Sequence, residues 1–460
     1  MLPTILILGL VGVSTSTSAV ETPDGYRMDR YRSPVPLEAP GATTLDSPEA
    51  LRSLLEREPS AVLLDVYPAA PRPPGLPKSE LWFEPRRETL PGALWLPNVG
   101  YGAPTDELLR LLLSRVNEAT SADRARPVVV FCEPSCWHSW NAAKRLAAAG
   151  YREIYWYRQG VLGWSSAGFS TETTRPIRPP EPLALRRVAD GVHVFQGAIE
   201  DVLASKDGRV ANLAVIIGER GVAVIDSGAQ LPEGRALEAA IRTLTELPIR
   251  YLINTHVHLD HVFGNPALMG PQSELVAHHG YPAALGAKGA HYQGRLEEQG
   301  FEVSPLPLPS VLVEGTKRLD LGDRILELRA LPSAHTDHDL VVIDLATQTL
   351  IAGDILFVEH CPVVDGSLLG WLRVLEELER VPFKHIIPGH GPVLEGWRGA
   401  EPLRRYLKGL RDATRAAVAA QMGMAKASET LLVEEAAQWK LCEEFHRRNV
   451  ISAYAELEWE

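Results

Sequence analysis

The sequence predicts an α/β protein of two domains, and three observations carry that expectation. The chain has 460 residues, where one domain usually takes roughly 100–200. Between Ser47 and Tyr157, buried strands alternate with helices, the pattern of a parallel sheet with helices on its faces. A Thr-, Pro- and Arg-rich stretch at 171–182 then reads as a linker, and from Val188 short strands recur at close spacing. Hydrophobic residues are 45% and charged residues 23%, which excludes a mainly disordered or collagen-like chain. The net charge is −12 with no long basic run, so nucleic acid is not an expected partner.

Residues 1–19 read as a secretory signal. Ile5 to Val13 is apolar, and Ser14 to Ala19 is a small-residue stretch that offers a cleavage site near Ala19. No Lys or Arg precedes the apolar run. About 10 apolar residues are too few to span a bilayer as a helix, and no other segment is long and apolar enough. The expectation is a periplasmic protein with no membrane span after signal removal; a retained anchor is the alternative.

The first domain's elements follow in order. Ser47-Pro48-Glu49 is a helix start, with an N-cap and Pro at the first position. Ala61 to Val66 is a buried strand, followed by a Pro-rich loop from Pro68 to Pro85. Pro127 to Phe131 is a second strand ending at Cys132, Asn141 to Ala149 a helix closed by Gly150, and Glu153 to Tyr157 a third strand. In the second domain, strands are expected at 192–195, 213–217 and 222–225, with Gly218-Glu-Arg-Gly221 as the turn between the last two. A helix at 235–244 leads to a strand at 251–254. Further strands lie near 325–330, 340–345, 349–352 and 384–387, with a helix over 367–379. The region after Glu401 reads as mostly helical. Four cysteines are too few for a disulfide scaffold, and Cys361 and Cys442 read as separate small buried hydrophobes.

Chemistry concentrates in four loops that follow apolar runs. Thr255-His256-Val257-His258-Leu259-Asp260-His261 leaves a strand, so His256 and His258 can point to one side while Asp260 and His261 reach round to a neighbouring point. Ser333-Ala334-His335, Gly353-Asp354 and Pro388-Gly389-His390-Gly391 supply further ligands. A lone histidine reads by default as a solvated or core residue; H-x-H-x-D-H with three spaced partners does not. Imidazole and carboxylate together suit Zn²⁺ and also Fe²⁺.

These four motifs resemble the metallo-β-lactamase superfamily over about residues 188–395. The resemblance implies an αββα sandwich with two metals, taken as Zn²⁺, between the sheets. It implies that His256, His258 and His335 hold one metal, that Asp260, His261 and His390 hold the second, and that Asp354 bridges both. Asp226 matches the family's loop aspartate, which supports the ligand loop. The chemistry implied is hydrolysis of a small-molecule substrate by a hydroxide shared between two metals, with Asp260 or Asp354 passing the proton to the leaving group. Class B β-lactamases lack a bridging carboxylate at the Asp354 position, whereas glyoxalase-II-like hydrolases have it. Outside the motifs, His338 is expected just behind the ligands, His360 either lines the pocket or does not, and His278, His279 and His291 are expected at the surface.

The other arrangement is a cysteine that closes a buried strand and opens a helix: Phe131-Cys132-Glu-Pro-Ser-Cys136-Trp137-His138-Ser139-Trp140. Backbone N–H groups and a helix N-terminus favour thiolate there. With Leu90 to Pro97 upstream and Gly160-Val-Leu-Gly-Trp164 downstream, about residues 45–168 resemble a rhodanese-like domain. Cys132 falls on the position of the family's persulfide-forming cysteine. The loop is about one residue longer than usual, lacks the usual Arg and adds Cys136, so that a Cys132–Cys136 disulfide, or a fold kept only as a binding module, competes with sulfur transfer.

The C-x-x-x-C-W-x-S-W-N loop also resembles CxxCW-motif proteins associated with pyrroloquinoline-quinone-dependent catabolism. Ala334-His-Thr-x-x-Asp-Leu340 and Gly353 to Gly366 resemble the quinoprotein relay system zinc metallohydrolases. That resemblance implies a link to periplasmic quinoprotein oxidation, with a quinoprotein dehydrogenase or cytochrome as partner. The organisation expected is a signal at 1–19, a rhodanese-like domain at 45–168, a linker at 169–187, a metallo-β-lactamase domain at 188–400 and a helical extension at 401–460. The alternatives are a persulfide dioxygenase with one iron, a β-lactamase, and a non-enzymatic redox or docking accessory of a periplasmic dehydrogenase. Export makes a direct prediction: N-terminal sequencing of the mature protein should begin near Val20, and an intact Met1 in soluble cytoplasmic protein would contradict it.

Overall fold

The computed structural model describes residues 21–28, 36–70, 73, 75, 80, 83 and 85–460. The expected signal at 1–19 lies outside the described residues. The chain divides into two compact units, up to Pro179 and from Pro180 to Glu460.

The first unit is built on a five-stranded sheet in the order Thr43–Leu45, Ile154–Tyr157, Val128–Phe131, Val62–Asp65, Leu94–Trp95, every pairing parallel. The central strands Val62–Asp65 and Val128–Phe131 are buried throughout, because helices cover both faces. Leu51 and Leu54 of helix Pro48–Arg57 pack with Val161 and Trp164 on one face. Leu112 and Val116 of helix Asp106–Ala119 pack with Trp140 and Leu146 of helix Trp137–Ala148 on the other. Helix Asp106–Ala119 has no counterpart among the expected elements. Its leucines crowd into one run rather than one stripe, which blurs the helical period. Its start is nonetheless marked, since the Thr105 side chain accepts from Leu108 N. Helix Trp137–Ala148 begins four residues earlier than expected because Cys136 itself is its N-cap residue.

The second unit holds two sheets. One runs Val311–Val313, Glu274–His278, Ile249–Ile253, Gly221–Ile225, Leu213–Gly218, Val192–Phe195, Arg186–Ala189. The other runs Thr316–Asp320, Ile325–Ala330, Leu340–Asp344, Thr349–Phe357, His385–His390. Ile216, Ile225 and Ile253 of the first sheet and Leu328, Val342 and Ile351 of the second share one core. Helix Leu231–Leu244 covers the outer face of the first sheet through Leu237 and Ile241. Helices Leu368–Leu378, Glu401–Ala419 and Cys442–Leu457 cover the second through Trp371, Leu407 and Val450. The layers are therefore αββα, and the helical residues after Glu401 belong to the second unit's own core.

One expectation is overturned. Cys361 and Cys442 are not separate hydrophobes; they form a disulfide across 81 residues of chain. Backbone pairing brings them together: Cys361 N donates to Lys440 O, and Lys440 N to Glu359 O. Closing a loop of this length stabilises the folded state by roughly 4–5 kcal/mol in the chain-entropy account. Among the described residues, no helix is long and apolar enough to cross a membrane.

Asn212 pins the two sheets together next to the His390 loop. Its buried Nδ2 donates to Pro388 O and Gly391 O, its Oδ1 accepts from Gly197 N, and its backbone N donates to Gly389 O. Asn212→Ala would strand three buried backbone groups, each worth about 1–3 kcal/mol when unsatisfied. We expect the variant to lose about 3 kcal/mol in urea unfolding, and a loss below about 1 kcal/mol would show that water takes over those bonds.

Candidate metal centre

Six of the seven expected ligands sit at or follow a strand end between the two sheets, and Asp354 lies within a strand. His256 and His258 follow strand Ile249–Ile253. His258 is the N-cap residue of the short helix Leu259–Val262, which carries Asp260 and His261. His335 lies in the loop between Ile325–Ala330 and Leu340–Asp344, Asp354 inside Thr349–Phe357, and His390 at the end of His385–His390. The structure brings these seven together in two groups, His256, His258, His335 with Asp354, and Asp260, His261 with His390.

Asp354 stands between the groups. Its Oδ2 is 3.7 Å from His256 Nε2, 3.5 Å from His335 Nε2 and 3.5 Å from His390 Nε2; its Oδ1 is 3.3 Å from His261 Nε2. Asp260 Oδ2 faces His390 Nε2 at 3.3 Å and His261 Nε2 at 3.7 Å. The buried atoms His256 Nε2, His261 Nε2 and Asp354 Oδ1 make no hydrogen bond. Buried polar atoms that converge without partners are costly. A cation shared among them removes that cost, so the residues fit a metal in each group.

The other ring nitrogens are all anchored, as metal-binding imidazoles require. His261 Nδ1 faces Asp226 Oδ2 at 2.8 Å, His335 Nδ1 faces Val363 O at 2.7 Å, and His390 Nδ1 faces Val210 O at 3.1 Å. His256 Nδ1 lies 3.0 Å from Thr255 Oγ1, which donates to Asp226 Oδ2. Asp226 also accepts from Thr255 N, and its φ of 60° turns the carboxylate under the loop. His258 turns the opposite way, with Nδ1 towards His335 and Nε2 3.1 Å from Asp365 Oδ2. Asp365 also accepts from Lys288 Nζ at 2.8 Å. It is absent from the expected site residues; it lies within the Gly353 to Gly366 segment, but only the fold sets it against His258.

Two glycines make room for Asp354. A Cβ on Gly389 would lie 1.8 Å from Asp354 Oδ1. Gly353 has φ +52°, and a Cβ there would meet the Thr255 side chain at 2.7 Å.

The two groups differ electrostatically. Burial, reinforced by His261, holds His256 well below the ordinary imidazole value. Burial pushes His335 down to about 3. Both are therefore neutral and ready to ligate. In the second group burial acts the same way, but carboxylates outweigh it: Asp260, Asp354 and Asp226 raise His261 well above its usual value, and Asp354 and Asp260 raise His390 to about 9. Asp260 and Asp354 fall below the usual carboxylate range despite burial, because of His261 and His390. The second group thus calls for positive charge where a metal would supply it.

A cavity of about 430 Å³ opens over both groups, lined by His258, Asp260, Asp354 and His390. The C-terminal helix Cys442–Leu457 supplies Glu444, Phe445 and Arg448 to its wall. His390, His360 and Phe445 stack in sequence, with centroids 4.7 and 5.6 Å apart. His360 and His291 both line the cavity, so His291 has a place beyond the plain surface role expected of it. His278 is buried and bonded to Gly280 N, contrary to a surface role. His338 Nε2 accepts from Val257 N, between His256 and His258.

In the first unit, Cys132 and Cys136 form a disulfide with Cα atoms 6.2 Å apart. The guanidinium missing from the loop's own sequence arrives from elsewhere: Arg87 reaches Cys132 O, Glu133 and the buried Asp65.

Residues 207–390 match the metallo-beta-lactamase superfamily model, and residues 47–167 match the rhodanese-like domain model. The chain carries a rhodanese-like domain followed by a metallo-β-lactamase superfamily domain. All seven candidate ligands fall inside residues 207–390. Three solved structures show similarity. A metallo-beta-lactamase from Pontibacter korlensis shares 18% identity over 49% of this chain and 99% of its own, with a TM-score of 0.41. TMB-1 shares 18% over 49% and 97%, with a TM-score of 0.40. A double mutant of the sec-alkyl sulfatase PisA1 shares 17% over 59% of this chain and 50% of its own, with a TM-score of 0.41. No curated protein matches the chain.

The metallo-β-lactamase domain yields a paired prediction. Asp354→Ala should keep about one metal per chain, held by the three imidazoles of the first group, because two dications about 3.5–4 Å apart need a shared anion. Gly389→Ala should lower metal content by pushing Asp354 aside. Elemental analysis checks both, and full metal loading in Asp354→Ala would remove the bridging role.

Proposed function

We propose that the chain is an exported hydrolase that uses two zinc ions and serves periplasmic quinoprotein oxidation. The observation that carries the hydrolase reading is Asp354 set between two groups of imidazoles beneath an open cavity. His256, His258 and His335 would hold one zinc, Asp260, His261 and His390 the other, with Asp354 between. Zinc bound there would polarise a carbonyl or ester oxygen and activate water at neutral pH. Asp260, which lines the cavity and turns Oδ2 to His390 and His261, would take the water's proton and return it to the leaving group. Asp365 and Lys288 hold His258 in place, and the Phe445–His360 stack shields His390 from solvent. Two disulfides favour an oxidising compartment and so support export. The link to a quinoprotein dehydrogenase or cytochrome rests on the resemblance of the Cys132–Asn141 loop and of residues 334–340 and 353–366.

The pairing of a rhodanese-like with a metallo-β-lactamase domain favours a second reading, a persulfide dioxygenase with one iron. Cys132, joined to Cys136, offers no thiol for a persulfide and weighs against it. Metal analysis with activity panels separates the two. Two zinc per chain and turnover of thioester, lactone or lactam substrates is the expected result. One iron, with oxygen uptake on a small persulfide, would replace it.

A further inference from the structure

A third cluster of ligand-type side chains lies in the rhodanese-like domain. The sulfurs of Cys132 and Cys136 and a ring nitrogen of His138 fall within 4.8 Å of one another, and all three residues are buried. Cys132 follows strand Val128–Phe131, Cys136 caps helix Trp137–Ala148, and His138 sits in that helix's first turn. Cys136 Sγ is 3.5 Å from His138 Nδ1. That separation is one edge of a coordination shell in which a cation lies about 2.3 Å from sulfur and about 2.0–2.1 Å from nitrogen.

The His138 ring is fixed. Trp137 packs on it with centroids 4.0 Å apart, Tyr101 meets it edge-on at 5.3 Å, and a Cβ on Gly100 would lie 2.6 Å from His138 Cβ. The loop backbone is also anchored without help from the sulfurs. Cys132 O accepts from Val161 N and Arg87, Cys136 N donates to Glu133 O, and Cys136 O accepts from Ser139 Oγ. The sulfurs can exchange partners while the loop ends stay in place. Ser135, directly before Cys136, is exposed, so the loop reaches solvent one residue from the cluster.

We propose that Cys132, Cys136 and His138 form a redox-gated binding site for a thiophilic cation of the zinc or copper(I) class, closed by the disulfide and opened by its reduction. A dithiol donor supplies two electrons and two protons, breaks the S–S bond and leaves as its own disulfide. The cation then displaces both thiol protons to solvent and bonds the two sulfurs and His138 Nδ1, while the imidazole keeps its proton on Nε2. Three protein ligands leave a fourth position open. Soft sulfur donors distinguish this site from the oxygen- and nitrogen-donor centre of the metallo-β-lactamase domain.

That difference supplies the test. The full chain is reduced anaerobically with a phosphine and titrated with cobalt(II) as a coloured stand-in for zinc. After the metallo-β-lactamase centre fills, one further equivalent should bind with a sulfur-to-cobalt charge-transfer band, bleached by zinc. Unreduced protein should lack the band. Cys136→Ser should abolish it, the Cys361→Ser/Cys442→Ser pair should retain it, and His138→Ala should bind at least about tenfold more weakly. Mass mapping of the wild-type chain is the variant-free check: zinc should protect Cys132 and Cys136 from alkylation. No band in the reduced protein, a band that survives Cys136→Ser, or unprotected thiols would overturn the site; unchanged affinity in His138→Ala would overturn the nitrogen ligand.

Discussion

The metallo-β-lactamase domain is organised around one buried carboxylate. Asp354 faces four imidazoles that arrive on three loops, and no arrangement of sheets that moved any of those loops by a few ångströms would keep them around it. Strand Thr349–Phe357 breaks register around Gly353, which turns Asp354 out of the ladder. Gly389 leaves the space the carboxylate fills. Asn212 and Asp226, neither of which would touch a metal, tie the His390 loop and the His256–His261 loop to the first sheet. Buried polar groups of this kind are tolerated only when each has a partner, so the ligand loops and their supports stand or fall together.

The C-terminal helices turn an open sandwich edge into a walled cavity. Their apolar faces cover the second sheet, and the Cys361–Cys442 disulfide joins them to the segment that follows Asp354. That staple fixes His360 under Phe445, and through it the face of His390. The wall of the cavity over the candidate ligands therefore draws on residues nearly a hundred positions beyond Asp354.

The rhodanese-like domain uses the same device on a smaller scale. A parallel strand delivers Cys132 to a helix start, where Arg87 and Gly160 shape the loop around it. Arg87 is held by the buried Asp65 and by Glu133, so the loop is fastened to the sheet's own centre. A second cysteine and a fixed histidine in that setting replace a lone nucleophile with a cluster.

The sequence alone determined the strands that bury both faces, such as 128–131 and 222–225, because such runs of Val and Ile have no other stable use. It also determined the seven ligand candidates, because H-x-H-x-D-H and its partners pack unusual chemistry into short loops. Helix Asp106–Ala119 escaped because its leucines follow no single period, and the early start of helix Trp137–Ala148 because a cysteine caps it. Tertiary structure alone decided the rest. Asp365 beside His258, Arg87 at the Cys132 loop, Asn212 between the sheets and the Cys361–Cys442 bond all join positions between 45 and 179 residues apart. Local propensity and spacing act over a turn or a strand, whereas these contacts exist only once the sheets have stacked and their loops meet.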